Sequence, residues 1–369
     1  MHRKRRRTFI STVDRMVLTM KTLPALLICT ASLFAQGTGP ARGFCGADPT
    51  GVADSTAAFQ TCIGNYPNGN VPIIPYGTYK ITASLTKTRR QSLIGSGAAG
   101  TILNCPPSIP CIVSADTGSP NNYVESRIED LTLQGTGTGI GVYIGGDPAG
   151  VYSAYGAFGD GTDLKDVRIT GFSQGVQWGN NTWGNRILHS LIFANGNGLY
   201  APSGLNGSGE QIVLTDSAIF NGGWAIYDAG GFEWNVKGCS FDYNYGLLWT
   251  TSSKLRVSES HIEQNGGQVI FQPYGYADLS IRDSTILIQA SSGYDQWMFQ
   301  LWPQANTFSL DNVSIWSNHA IGYLLRGNGG SPGAESGIVA NLHGNSNGKI
   351  GAFSDQPTSL AFSGSIWSH

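Results

Sequence analysis

The chain has 369 residues with 22 Lys and Arg against 24 Asp and Glu, so its net charge of −2 offers no electrostatic reason to bind nucleic acid. Charged residues are 12%, about half the usual quarter, and the 51 glycines are roughly twice the usual share. With 15 Phe, 9 Trp and 15 Tyr, the composition excludes a disordered chain and points to a folded all-β protein with many tight turns.

Residues 1–35 have the layout of a secretory signal peptide: Lys21 starts it, an apolar stretch follows, and the small Ala35 precedes Gln36. The basic run at 2–7 makes this leader unusually long and is read as an upstream start rather than a nucleic-acid patch. The apolar stretch is too short for a transmembrane helix, and bulky Ile28 before Cys29 argues against a lipoprotein site. The expected location is therefore secreted or periplasmic, with no membrane contact after cleavage. Beyond the leader stand Cys45, Cys62, Cys105, Cys111 and Cys239, an odd number for an oxidising compartment. Cys105 and Cys111 bracket a short stiff loop that can bring them together. No spacing resembles a zinc site, and no metal is expected.

A Gly/Pro-rich linker at 36–45 leads into residues 46–63, where Asp54 is a good N-cap and Ala57, Ala58, Gln60 and Ile63 suit a short helix. Residues 71–81 read as two short strands around the turn Pro75, Tyr76, Gly77, and residues 92–97 as a strand entering a glycine turn. Across 46–97 the chain resembles one branch of the pectate-lyase-like superfamily of right-handed parallel β-helices, of secreted bacterial type. That branch opens with a Gly-Ala-x-x-x-Gly-x-x-Asp-Ser/Thr-x-Ala helix, matched from Gly46 to Ala57, and continues with a Pro-x-Gly-x-Tyr strand pair, matched from Pro75 to Tyr79.

The resemblance implies a single-stranded right-handed parallel β-helix over 46–369, capped by the segment 46–97 and, at the other end, by the loop and short apolar runs of 327–369. It does not imply one chemistry, because the branch includes lyases, hydrolases and phage tailspikes. The Asn-Thr-Asp, Asp-Asp and Gly-His-Gly motifs of the pectin hydrolases are absent. So is the Arg-x-x-Pro-x-x-Arg stretch of the calcium pectate lyases, which leaves calcium an option without a motif and no cofactor expected.

The coils themselves are legible as a repeat. Residues 128–135, 164–171 and 187–193 share a pattern that returns at 214–222, 236–244, 257–265, 281–287 and 310–316, about eight coils in all. Leu214, Val236 and Val257 form one apolar column, Ser217, Cys239 and Ser260 a second, and Ile219, Phe241 and Ile262 a third. A second strand in each coil turns Val176, Leu199, Ile226, Leu248 and Ile270 inward. Asn195, Asn244 and Asn265 recur at one turn and read as an asparagine ladder; His189 also reads as a turn residue. The longer step after the first coil leaves room for a loop at 145–162, of the kind that often borders a binding groove.

The residue after the third column points outward, which puts Asp242 and Glu263 on adjacent rungs. Rungs about 4.8 Å apart would hold the carboxyls about 5 Å from each other, close to the acid–nucleophile separation of retaining glycosidases. Such a pair is expected to split into one protonated and one ionised group. His261 shares that face, and Tyr243 and Asp228 lie nearby in the pattern. The candidate catalytic set is thus Asp242, Glu263, His261 and Asp228. Tyr200, Tyr227, Trp249 and Phe271 follow the inward column of the second strand; as a row of rings they suit sugar faces or a subunit interface such as that of a homotrimer, with ordinary side-to-side ring packing as a third reading. With Tyr243, and with Arg256 as the cation for an acidic sugar, they form the candidate binding set. The expected function is cleavage of a polysaccharide or oligosaccharide by a secreted glycoside hydrolase or polysaccharide lyase. The alternative is a non-catalytic glycan-binding or tailspike-like trimer.

Overall fold

The computed structural model describes residues 44–69, 71–118, 126–264, 269–288, 297–301 and 307–317, together with the backbone of the strands Ile321–Gly327, Ser336–Ala340, His343–Ser346, Ile350–Ser354, Ser359–Ser363 and Ile366–Trp367. These all belong to one compact unit, Arg42–His369. The leader and Asn265 therefore lie outside the described residues.

The fold is a right-handed parallel β-helix, and its interior follows the columns of the repeat. Leu93, Ile128, Leu164, Ile187, Leu214, Val236, Val257, Ile281 and Leu310 are successive partners in one parallel ladder, and each is at most 2% exposed. The third column, from Leu103 through Leu133, Ile169, Ile192, Ile219, Phe241 and Ile262 to Ile286 and Ile315, is equally buried. Burying each such side chain contributes roughly 1.5–3 kcal/mol, and the rung above and the rung below supply the contacts.

Within a coil, the first two strands are joined by a bend of one shape. Asp130, Asp166, His189, Asp216, Glu259, Asp283 and Asn312 all hold φ between 47° and 56° there, a left-handed conformation that Asn, Asp and His tolerate better than most residues. His189 is thus the turn residue its pattern suggests. The next residue points inward, and where it is a serine its hydroxyl satisfies the bend. Ser190 donates to the Leu188 carbonyl and accepts from the Val167 amide, and Ser260 does the same between Ser258 and Cys239. Cys239 takes this place as a buried free thiol, which burial pushes up to about 11.

A second corner separates the second strand from the third. Here the Asn244 side chain accepts from the Gly222 amide and donates to the Ile219 carbonyl, and Asn195 does the same for Phe172 and Ile169. Both are buried, so the ladder completes backbone bonds that water cannot reach. The third strands form a separate 11-stranded parallel sheet.

Several expectations need correction. The eleven third strands exceed the eight coils of the repeat, because Leu85–Lys87 and Pro110–Ser114 before it and Ile350–Ser354 after it belong to coils without the repeated motif. Residues 71–81 hold one strand, Gly77–Lys80, since two prolines withhold ladder donors from the remainder. The helix is Thr56–Gly64 with Ser55, not Asp54, at the N-cap; the Asp54 carboxylate instead binds Thr56 and Thr82. Disulfides join Cys105 to Cys111, as the short loop suggests, and Cys45 to Cys62, which ties the helix to the preceding turn.

Candidate active site

Asp242 and Glu263 are direct partners in the ladder between Ser240–Asn244 and His261–Gln264, and Ser240 partners His261. All four side chains leave the same outer face, on strands whose inward residues, Phe241 and Ile262, are fully buried. The core thereby fixes the direction of the polar groups. His261 Nε2 lies 3.7 Å from Asp242 Oδ1 and 3.5 Å from Glu263 Oε2, and the three groups keep these atoms within 4.8 Å of one another. The Ser240 hydroxyl donates to Asp242 Oδ2 at 2.7 Å. That bond pins one oxygen and leaves Oδ1 buried, without a hydrogen-bond partner, facing the imidazole.

Tyr243 joins the group through an unusual backbone. It holds φ 56° at the asparagine corner, where earlier coils place Ala194 and Asn221. A bulky side chain in this region is uncommon and costs on the order of 1 kcal/mol, the kind of outlier that accompanies functional sites. The Glu263 charge and a hydrogen bond to its carboxylate push the Tyr243 phenol above its ordinary value.

Chemically, two carboxylates no more than 4.8 Å apart with an imidazole between them can take, hold and return a proton at one place on the surface. The spacing matches the roughly 5–5.5 Å of retaining glycosidases and leaves no room for the water that inverting pairs hold across about 6.5–9.5 Å. Among the described residues, this is also the one trio of metal-ligating groups close enough to share an ion. Of these partners, Ser240 was missed by the sequence reading; its signal was the outward position two residues before Asp242.

The structure takes other candidates out of this group. Asp228 is fully buried: its carboxylate accepts from the Gly230, Gly231 and Phe232 amides, from Trp234 Nε1 at 2.8 Å and from the Ser253 hydroxyl. Burial raises this carboxyl above its ordinary value, and the hydrogen bonds from Ser253, Trp234, Phe232 and Gly230 oppose the shift. Asp228 therefore closes a turn inside the fold rather than facing substrate.

The aromatic row is in register as expected, Tyr200 beside Tyr227, Trp249 and Phe271, but on the third strand, past the asparagine corner from Asp242. Three of its rings pack on one another, and Phe271 packs on Trp224 instead. Tyr227 and Trp249 stack 4.1 Å apart with planes 5° from parallel, and Tyr200 leans on Tyr227 at 5.4 Å. Ring-on-ring packing thus occupies one face each of Tyr227 and Trp249.

Arg256 lies on the first strand, beyond the left-handed bend, 3.6 Å from Asp278. The loop at 145–162 bridges Asp116 through Phe158 and Asn180 through Gly146, and its Asp160 pairs with buried Arg89 at 2.6 Å. It is held at the corner after the third strand and so does not border the carboxylates.

A family model described as rhamnogalacturonase A/epimerase, pectate lyase-like, matches residues 45–249, more than half of the chain. The chain belongs to this family. Among solved structures, the DFA-IIIase of Arthrobacter chlorophenolicus A6 superposes with a TM-score of 0.61 at 12% identity, covering 85% of this chain and 86% of that one. The enzymatically active domain of bacteriophage CBA120 tailspike protein 4 gives a TM-score of 0.54 at 15% identity, over 84% of this chain and 43% of that one. At these identities the likeness is one of fold. No curated protein matches the chain.

Proposed function

We propose that this family member is an exported enzyme that cleaves a polysaccharide, with Asp242, Glu263 and His261 as its acid–base group. The observation that carries the reading is the imidazole held within 3.7 Å of two carboxylates on adjacent rungs of the outer face. Membership of a family described by rhamnogalacturonase and epimerase activities supports the substrate class. The two disulfides support export, since such bonds persist in oxidising compartments.

The short carboxylate separation favours hydrolysis by double displacement. One carboxyl protonates the leaving oxygen while the other attacks the anomeric carbon; water then releases the sugar as the first group takes back a proton. His261, between them, is placed to orient both and to move protons. A screen of neutral and acidic polysaccharides, reading reducing ends and unsaturated uronate absorbance together, tests this. New reducing ends without that absorbance are expected. Absorbance at every cut would make the enzyme a lyase, and silence on all substrates with retained binding would favour the glycan-binding, tailspike-like alternative.

A further inference from the structure

Each carboxylate of the pair meets a hydroxyl of its own, and the two share the imidazole. Ser240 donates to Asp242 at 2.7 Å, and the Tyr243 phenol donates to the Glu263 carboxylate on the next rung. Ser240 acts from an ordinary outward position in its strand; Tyr243 does not. Asp242 partners Glu263 and Asn244 partners Gln264, so Tyr243 is one extra residue for which the next strand has no counterpart. Such a bulge re-aims a side chain, and bulges gather beside active sites. Strict alternation after the inward Phe241 and outward Asp242 would turn residue 243 into the core, but with φ 56° Tyr243 stands 46% exposed instead.

The corner itself does not call for a tyrosine. The two preceding coils fill it with Ala194 and Asn221, at φ 52° and 55°, and neither side chain has a phenol's reach. A tyrosine bears more strain there than asparagine does, and a ring left nearly half in water recovers little of that cost by burial. Its partner gains by the contact. Glu263 reaches the site on a longer and more flexible stem than Asp242, so it has more rotamer freedom to lose before it can react.

We infer that Tyr243 is a positioning residue: from the bulged corner its phenol holds the Glu263 carboxylate beside His261, in the orientation the acid–base group uses. The inference rests on the cleavage proposed for this site and gives Tyr243 a task other than the substrate contact expected of it. A reacting group displaced by about 1 Å can lose up to about a hundredfold in rate, which is the scale on which such a holder acts.

The test is steady-state kinetics beside melting temperatures. Tyr243→Phe keeps the ring and removes only the hydroxyl, so on the polysaccharide that the screen identifies its kcat should fall about tenfold or more while KM stays within about twofold. Tyr243→Asn, matching the corner at Asn221, should lose as much turnover yet melt no earlier than the parent, since Asn tolerates left-handed backbone better. A tyrosine kept for structure would show the reverse: parental turnover in Tyr243→Phe and early melting in Tyr243→Asn. That outcome overturns the inference, and so does a raised KM at parental kcat in Tyr243→Phe, which would make Tyr243 a substrate contact. Asp242→Asn and Glu263→Gln, measured in the same series, separate this failure from that of the reading beneath it. If those two lose turnover and Tyr243→Phe does not, the positioning role alone falls; if they keep it, or no polysaccharide is cut, the cleavage reading falls and takes this inference with it.

Discussion

Asp242→Asn and Glu263→Gln should each lower kcat by about two orders of magnitude or more on the polysaccharide the screen identifies, with little change in melting temperature. Each carboxyl has a part that its amide cannot take: the amide neither accepts the proton nor attacks carbon. Both side chains leave the outer face, and Asp242 Oδ1 lacks a hydrogen-bond partner, so the fold does not depend on the charges. Because the two groups act as a unit, the double variant should be scarcely worse than the poorer single one. Steady-state kinetics on all three proteins decides it. Near-parental turnover in both single variants would place the chemistry elsewhere on the coil.

The largest effect on stability is expected at Ile262→Asp. Ile262 is fully buried between Phe241 on the rung before and Ile286 on the rung after, within the third column. A carboxylate there has no cation or donor of its own and must either ionise in the core or be protonated at a cost. A loss of about 4 kcal/mol or more is expected, against about 1 kcal/mol for Ile262→Val, which only trims a methyl group. Denaturant titrations of the three proteins measure the difference. A parental midpoint for Ile262→Asp would mean that the strand register is wrong.

That register was legible because a strand alternates and a coil repeats, so one line of apolar residues at steps of 22 and 21 specifies both the ladder and the outward side. The same alternation contained an answer for Asp228 that was not drawn from it. With Ile226 inward and Tyr227 outward, residue 228 returns to the core, where the structure finds it. For the aromatic row the limit was a different one. Position shows which way a ring leaves the sheet but not what covers its face, and the rung spacing is itself close to a stacking distance, so rings on successive rungs cover each other. The early coils were hidden because they lack the repeated motif.

The rungs that carry Asp242 and Glu263 stand well inside the stack. In their column five buried side chains precede Phe241, from Leu103 to Ile219, and Ile286 and Ile315 follow Ile262. A solenoid holds together through nearest-neighbour interfaces, and its local openings begin as fraying at the ends. Amide hydrogens around Phe241 and Ile262 should therefore exchange among the slowest in the chain, and damage to a terminal coil and loss of the acid–base geometry become separate events.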